Sequence, residues 1–253
     1  MNWIGLQTLI KRELVRTFAI INQVIWPPVI TTLLYVFVFG LALGSRIQNV
    51  QGVSYAQFLI PGLIMLQVID GTYSESSSSV FQGRFMLSIQ ELLISPLSAL
   101  EMVAGYVVAG ILRALFIAVI ITALGIVFVH TAPLNYGLYF LVIVLVATLF
   151  SALGIIFGLL AEKFDHIATL TTFAITPLVF VGGVFTSVAF LPPLVQKISM
   201  FNPMFHMIDA FRFSYTGRGD VPLALSLGVV MFLAFAALGT ALVMMDRGFK
   251  LRT

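Results

Sequence analysis

The residues best placed to do chemistry in this chain are charges embedded in apolar sequence. Asp70 and Glu75 follow a stretch that is apolar from Phe58 to Ile69 apart from Gln67, and Arg113 lies about halfway along the apolar stretch Met102 to Val127. A charge in hydrocarbon is costly unless it is paired, reaches an interface or serves a transport path. Asp70, Glu75 and Glu101 are the acids nearest to Arg113 in topology. Pairing of Arg113 with Glu75 or Asp70, fixing two neighbouring helices, is favoured over direct contact with a substrate.

Other chemistries lack their residues. No GxxxxGK[ST] phosphate loop occurs, and the glycine-led GTYSESSSS (Gly71 to Ser79) has no lysine. His130, His166 and His206 are far apart, none sits in an HExxH, and Cys is absent. No nucleophile elbow surrounds any of the serines, which more simply supply hydrogen bonds between helices. The reading is therefore of a chain with no catalytic, metal or cofactor site of its own.

These charges stand out because so little else is charged. Of 253 residues, 60% are apolar and 9% charged, against roughly 45–50% and about 25% in soluble domains. The stretches without Asp, Glu, Lys or Arg run from Phe18 to Ser45, Ile47 to Ile69, Ala114 to Ala161, Ile167 to Gln196 and Val221 to Met245. Each can supply the roughly 20 residues a span requires, and the third can supply two. The strict alternation of a barrel strand is missing from LVIVLVATLF, Leu141 to Phe150. An all-α polytopic membrane protein of six spans follows, as a single domain over 1–253. No removable signal peptide is evident.

With an even number of spans the termini share a side. If that side is the cytoplasm, Lys11, Arg12, Arg16, Arg84, Lys163, Arg247, Lys250 and Arg252 lie inside, against Arg46, Lys197, Arg212 and Arg218 outside. The excess favours cytoplasmic termini. Basic charge arranged in this way needs no nucleic-acid partner.

Three segments depart from plain spans. Residues 1–17 carry Trp3, Leu6, Ile10 and Leu14 at helical spacing with Lys11, Arg12 and Arg16 set apart, which predicts an interfacial helix whose cations reach lipid head groups. Pro27 and Pro28 then start or bend the first span. Residues 81–100, FQGRFMLSIQELLISPLSAL, are too polar to span. Phe81, Phe85 and Ile89 share a helical spacing, joined by Leu92 and Leu93 and closed by Ser95-Pro96, so a short helix with a docking face is expected. Residues 186–220 alternate apolar runs with breaks at Pro192-Pro193 and Pro203, as two short helices re-entering from the outer side would.

Considered together, several segments resemble the permease family of type-2 ATP-binding-cassette exporters. They are WPPVITTLLYVFVFG (Trp26 to Gly40), FLIPGLIML (Phe58 to Leu66), ELLISPLSALEMVAGY (Glu91 to Tyr106) and GGVFTSVAFLPPLVQKISMFNPMFHMIDAFR (Gly182 to Arg212). The resemblance implies a bacterial inner-membrane permease that works as two copies with two separate ATP-binding-cassette subunits, which would hold ATP and Mg. It assigns Phe81, Arg84, Phe85, Ile89, Glu91, Leu92, Leu93, Ser95 and Pro96 to the cytoplasmic coupling segment, and the region of Pro192, Pro193, Pro203 and Arg212 to the outer re-entrant helices. Lipid-linked glycans, lipids and amphipathic drugs fall within its range of cargo. Two other classes stay open: an ion-coupled carrier using Asp70 or Glu75, and a structural membrane subunit that transports nothing.

Overall fold

The computed structural model describes residues 2–42, 50, 52–86 and 88–250. Arg46 and Arg252 of the charge tally, and the side chain of Leu93, lie outside the described residues. Within them the chain is helical, with one isolated bridge between Val50 and Val53 as its only extended pairing.

Helix α1 (Trp3–Ala19) ends at Ile20, and α2 (Ile21–Ala42) follows at once, with Pro27 and Pro28 inside it. The prolines thus do not begin the first span; each removes a helical donor, from the carbonyls of Gln23 and Val24 respectively. Helix α3 (Tyr55–Phe85) is capped by Ser54 and Gln57, which bond reciprocally. After the short α4 (Ile89–Ile94), α5 (Ala99–Leu124) continues through a wider turn over Gly125–Val129. Then come α6 (Tyr136–Leu160), α7 (Phe164–Leu170) and α8 (Thr176–Val181), the last two joined into one rod by Thr171–Ile175. The chain closes with α9 (Pro193–Phe201), α10 (Pro203–Thr216) and α11 (Leu223–Asp246).

Five helical stretches among the described residues are long and apolar enough to cross a bilayer: Ile21–Gly40, Ala99–Val129, Tyr136–Leu160, Phe164–Val181 and Leu223–Asp246. Helix α3, at 31 residues, is longer than the roughly 20 that a span requires. Asp70, Glu75 and the Ser76 to Ser79 run leave it less apolar than the other five.

That polar helix is the hub. It packs against α2, α5, α6 and α10, and nearly everything from Phe58 to Ile69 on it is buried. Its closest neighbour is α6, where Gly154 and Gly158 face Ser76, Ser77 and Val80. A Cβ at Gly154 would lie 2.9 Å from both Ser77 N and Tyr73 O. Without a hydrophobic drive between helices in lipid, such small-residue contacts let backbones approach and packing hold them. By contrast, only 11% of α2's apolar window is buried, against 56% for α6. Helix α2 therefore sits at the edge of the bundle, with Trp26, Ile30, Leu34 and Phe37 exposed.

Candidate functional site

Helix α1 turns a different face inward from the one its apolar periodicity suggests. Leu9, Glu13 and Thr17 are its buried residues, at four-residue spacing, while Trp3 is 62% exposed. Glu13, 4% exposed, could not stay buried unless charges and donors met it. Arg12 Nη2 lies 2.9 Å from its Oε1, Arg16 Nε lies 3.3 Å from its Oε2, and Ser79 Oγ donates to Oε2 at 2.5 Å. Arg16 Nη2 also pairs with Glu75, to which Thr17 Oγ1 donates at 3.2 Å. Arg113 Nη1 then reaches Glu75 Oε2 at 3.1 Å and donates to the Gly71 carbonyl.

The result is a ladder of alternating charge, Arg12, Glu13, Arg16, Glu75 and Arg113, that joins α1, α3 and α5. Arg12 further donates to the Tyr106 hydroxyl on α5 at 3.3 Å. So Arg113 lies beside Glu75, one of the two acids expected for it. Arg12 and Arg16, expected at lipid head groups, instead face protein carboxylates. Sequence reading passed over Glu13 and Tyr106 in this role, whereas Ser79 belongs to the serine run expected to supply hydrogen bonds between helices. The available signal was an acid between arginines on a helix, Arg12-Glu13 with Arg16 three residues on, which favours pairing along the helix.

Glu101 does not join the ladder. It is the third residue of α5, accepts from Ser98 N at 2.8 Å and Ser98 Oγ at 2.9 Å, and also receives the Asn2 N–H, tying α1 to the start of α5. This is a capping box, legible in the sequence as Ser98-x-x-Glu101, so Glu101, the third acid near Arg113 in topology, is engaged at the start of α5.

Asp70 is five residues before Glu75, about 1.4 turns along α3, but lacks its company. Among the described residues, no hydrogen bond or ion pair is formed by the Asp70 carboxylate. It lines a cavity of about 160 Å³ with Gln23, Pro27, Pro28, Gln67, Ser74 and Arg113. Farther along α2 an apolar groove of about 710 Å³ is formed by Ile30, Leu34, Phe37 and Gly40 against Ala56, Phe128 and Val129.

At the end of the bundle where α3 meets α4, Phe81 is buried and packs edge-on against Phe164 at 4.6 Å. Arg84 Nη1 donates to the carbonyls of Gly158 (3.0 Å), Leu159 (2.8 Å) and Ala161 (3.0 Å), groups that the end of α6 leaves without helical donors. Ile89 is 3% exposed, so it supports the segment from inside and is not part of an outward face, as its spacing suggested. Leu92 is partly buried on the core, and Ser95 Oγ donates to Leu92 O at 2.6 Å. Pro96 lies in the turn before α5. The outward residues are Phe85 (71% exposed), Met86 (65%), Ile94 (84%) and the acid Glu91.

The opposite end holds α9 and α10. Pro193 and Pro203 each begin a helix, with Pro192 and Asn202 as their N-caps, so these prolines start elements where proline costs nothing. Helix α10 is buried along most of its length. Arg212 is 1% exposed; it lies 3.8 Å over the Phe58 ring and donates to Gly183 O at 2.6 Å. Asp209 accepts from the backbone N–H groups of Asp220 (2.7 Å) and Val221 (3.4 Å), and Asp220 accepts from Ser187 Oγ at 2.8 Å. His206 is buried, with its ring nitrogens at 3.3 Å from Ser226 Oγ and 2.9 Å from Met200 O. In contrast, α9 exposes Leu194, Ile198 and Phe201.

One helical bundle thus carries the charged ladder joining α1, α3 and α5, an exposed apolar tip after α3 and a proline-started helix pair at the other end. Residues 5–216 match the ABC-2 type transporter family. The chain belongs to the ABC-2 type transporter family. This ABC-2 permease is 40% identical over 250 residues to the inner membrane transport permease YadH of Escherichia coli K12, covering 98% of both chains. It is also 29% identical over 203 residues to nodulation protein J of Rhizobium leguminosarum bv. viciae, covering 78% of this chain and 76% of that one. The permease is thus a membrane transport protein, and the ladder, the polar cavity and the apolar tip belong to a transport domain.

Proposed function

We propose that this ABC-2 permease is the membrane subunit of an ATP-driven exporter in a bacterial inner membrane. Two copies form the path, and separate ATP-binding subunits dock at the α3–α4 end, which lies on the cytoplasmic side with both termini. Helix α3 completes six spans, and α9 with α10 forms the re-entrant segment before the last. The cargo is an amphiphile such as a lipid, a lipid-linked glycan or an amphipathic drug.

The observation that carries this reading is the uncovered apolar tip of Phe85, Met86 and Ile94. It stands at the end of the hub helix, braced by Arg84 on α6 and by Phe81 on Phe164. An exposed apolar patch on a rigid mount marks an interaction surface. Displacement there would be carried along α3 to Glu75 and so to α1 and α5 through the ladder, because packed helices move as units.

The experiment is co-purification with the ATP-binding subunit encoded beside this permease. Phe85→Asp with Ile94→Asp should abolish recovery of that subunit while the permease stays folded, because both side chains face outward. Undiminished recovery with normal ATP hydrolysis would contradict the docking assignment.

A further inference from the structure

We infer that the polar cavity beside Pro27 and Pro28 receives the head of a zwitterionic amphiphile, whose apolar chain lies in the groove farther along α2. The inference rests on the export reading above, since it takes this amphiphile as the cargo.

The ladder holds three arginines and two glutamates, and Asp70 beside Arg113 brings the set to three charges of each sign. A head with net charge would add an unbalanced charge among spanning helices, where charge is most costly. A neutral head would leave Asp70 as it stands, a carboxylate to which no hydrogen bond or ion pair is made among the described residues. A head carrying one cation and one anion meets both demands. Its ammonium pairs with Asp70, and its phosphate or carboxylate meets the Arg113 donors that Glu75 and Gly71 O leave over; these use Nη1. Gln23, Gln67 and Ser74 complete a polar wall.

Size and setting restrict the ligand further. At about 160 Å³ the cavity is much smaller than the 710 Å³ groove, which suits a compact head there and the bulk of the amphiphile in the groove. The groove begins at Ile30, one turn beyond Pro27, and extends to Gly40, about 15 Å at 1.5 Å per residue. Its walls are apolar side chains from α2 and from the Gly125–Val129 turn. One helix therefore carries a head site and a tail site in sequence.

The chain has two tryptophans, Trp3 and Trp26. Trp3→Phe leaves Trp26, next to Pro27, as a single reporter. The full-length W3F protein in lipid nanodiscs is titrated with bromine-bearing dodecyl chains that end in an ammonium–carboxylate, an ammonium, a carboxylate or a glucosyl head. Saturable quenching of Trp26 is expected at the lowest concentration for the zwitterion, about tenfold below the other three heads, and Asp70→Asn should remove that advantage. Equal half-saturation for all four heads overturns the inference. A preference for the glucosyl head, or for a singly charged head, overturns it in favour of a polyol or simple ion site. Should D70N fail a thermal-melt check of folding, head selectivity in W3F decides alone.

ATP hydrolysis by the reconstituted complex separates the two readings. Asp70-dependent binding without stimulation leaves the site standing and contradicts export of this ligand. Stimulation without Asp70-dependent binding leaves the exporter standing and contradicts the site.

Discussion

Glu75 stands between two guanidiniums, so neutralising it tests whether the ladder holds the bundle. At 3.1 Å from Arg113 the gross attraction is about 5 kcal/mol at an effective dielectric near 20, and desolvation of both ions offsets a large part. Side-chain exposures of 14% for Glu75, 15% for Arg113 and 30% for Arg16 place the group between surface pairs, at about 0–1 kcal/mol, and fully buried ones, whose breakage costs about 3–5 kcal/mol. Arg16 keeps Glu13, and Arg113 keeps the Gly71 carbonyl, which moderates the loss. Glu75→Gln should therefore destabilise the permease by about 2–3 kcal/mol.

The assay is a double-mutant cycle of Glu75→Gln and Arg113→Gln, read by reversible denaturation in mixed micelles. A coupling energy of about 2 kcal/mol is expected. Ordinary interhelical hydrogen bonds in membranes average about 0.6 kcal/mol, so a coupling at or below that value would refute the claim that paired charge fixes α3 against α5.

Three more outcomes follow from the packing and caps. Gly154→Val forces a side chain against backbone atoms of Ser77 and Tyr73 and should cost about 1–3 kcal/mol in the same assay; an unchanged midpoint would contradict the close α3–α6 approach. Ser98→Ala removes the hydroxyl of the α5 capping box and should cost about 1 kcal/mol, whereas Leu100→Ala at an exposed neighbouring position should cost less. The Lys250 ammonium, 3.0 Å away, holds the Glu162 carboxyl below its ordinary value of 4.5. The stabilisation from this pair is present above that value and is lost as pH falls through the lowered one, and carboxyl NMR titration should show the Glu162 value rise in Lys250→Met.

The helices were legible because uncharged runs of adequate length leave the backbone little alternative to satisfying itself. The pairing of Arg113 with Glu75 was legible for a related reason: an isolated charge in such a run demands a partner. Glu13 escaped because one acid among basic residues near an N-terminus reads as a minor break in a lipid-facing patch. Only the tertiary position of Ser79 and Arg16 shows that it points inward. Ile89 was expected on the docking face and Ile94 was passed over because α4, with six residues, is too short for periodicity to fix its phase. The burial of Arg212 could not be read from α10 alone, which mixes Asp209, Arg212 and His206 with its apolar residues. Its burial is made possible by Phe58 and by the carbonyl of Gly183, both distant in sequence. The polar cavity could not be read at all, since Gln23, Gln67 and Arg113 meet only when α2, α3 and α5 are packed.

The most direct test of the exporter assignment is transport in proteoliposomes containing this permease with and without its ATP-binding subunit, using a fluorescent amphiphile added on the side of the nucleotide site. Accumulation on the opposite side is expected only with both proteins and hydrolysable ATP, with none for the permease alone under an imposed proton gradient. Accumulation driven by that gradient in the permease alone, unchanged by ATP, would contradict it.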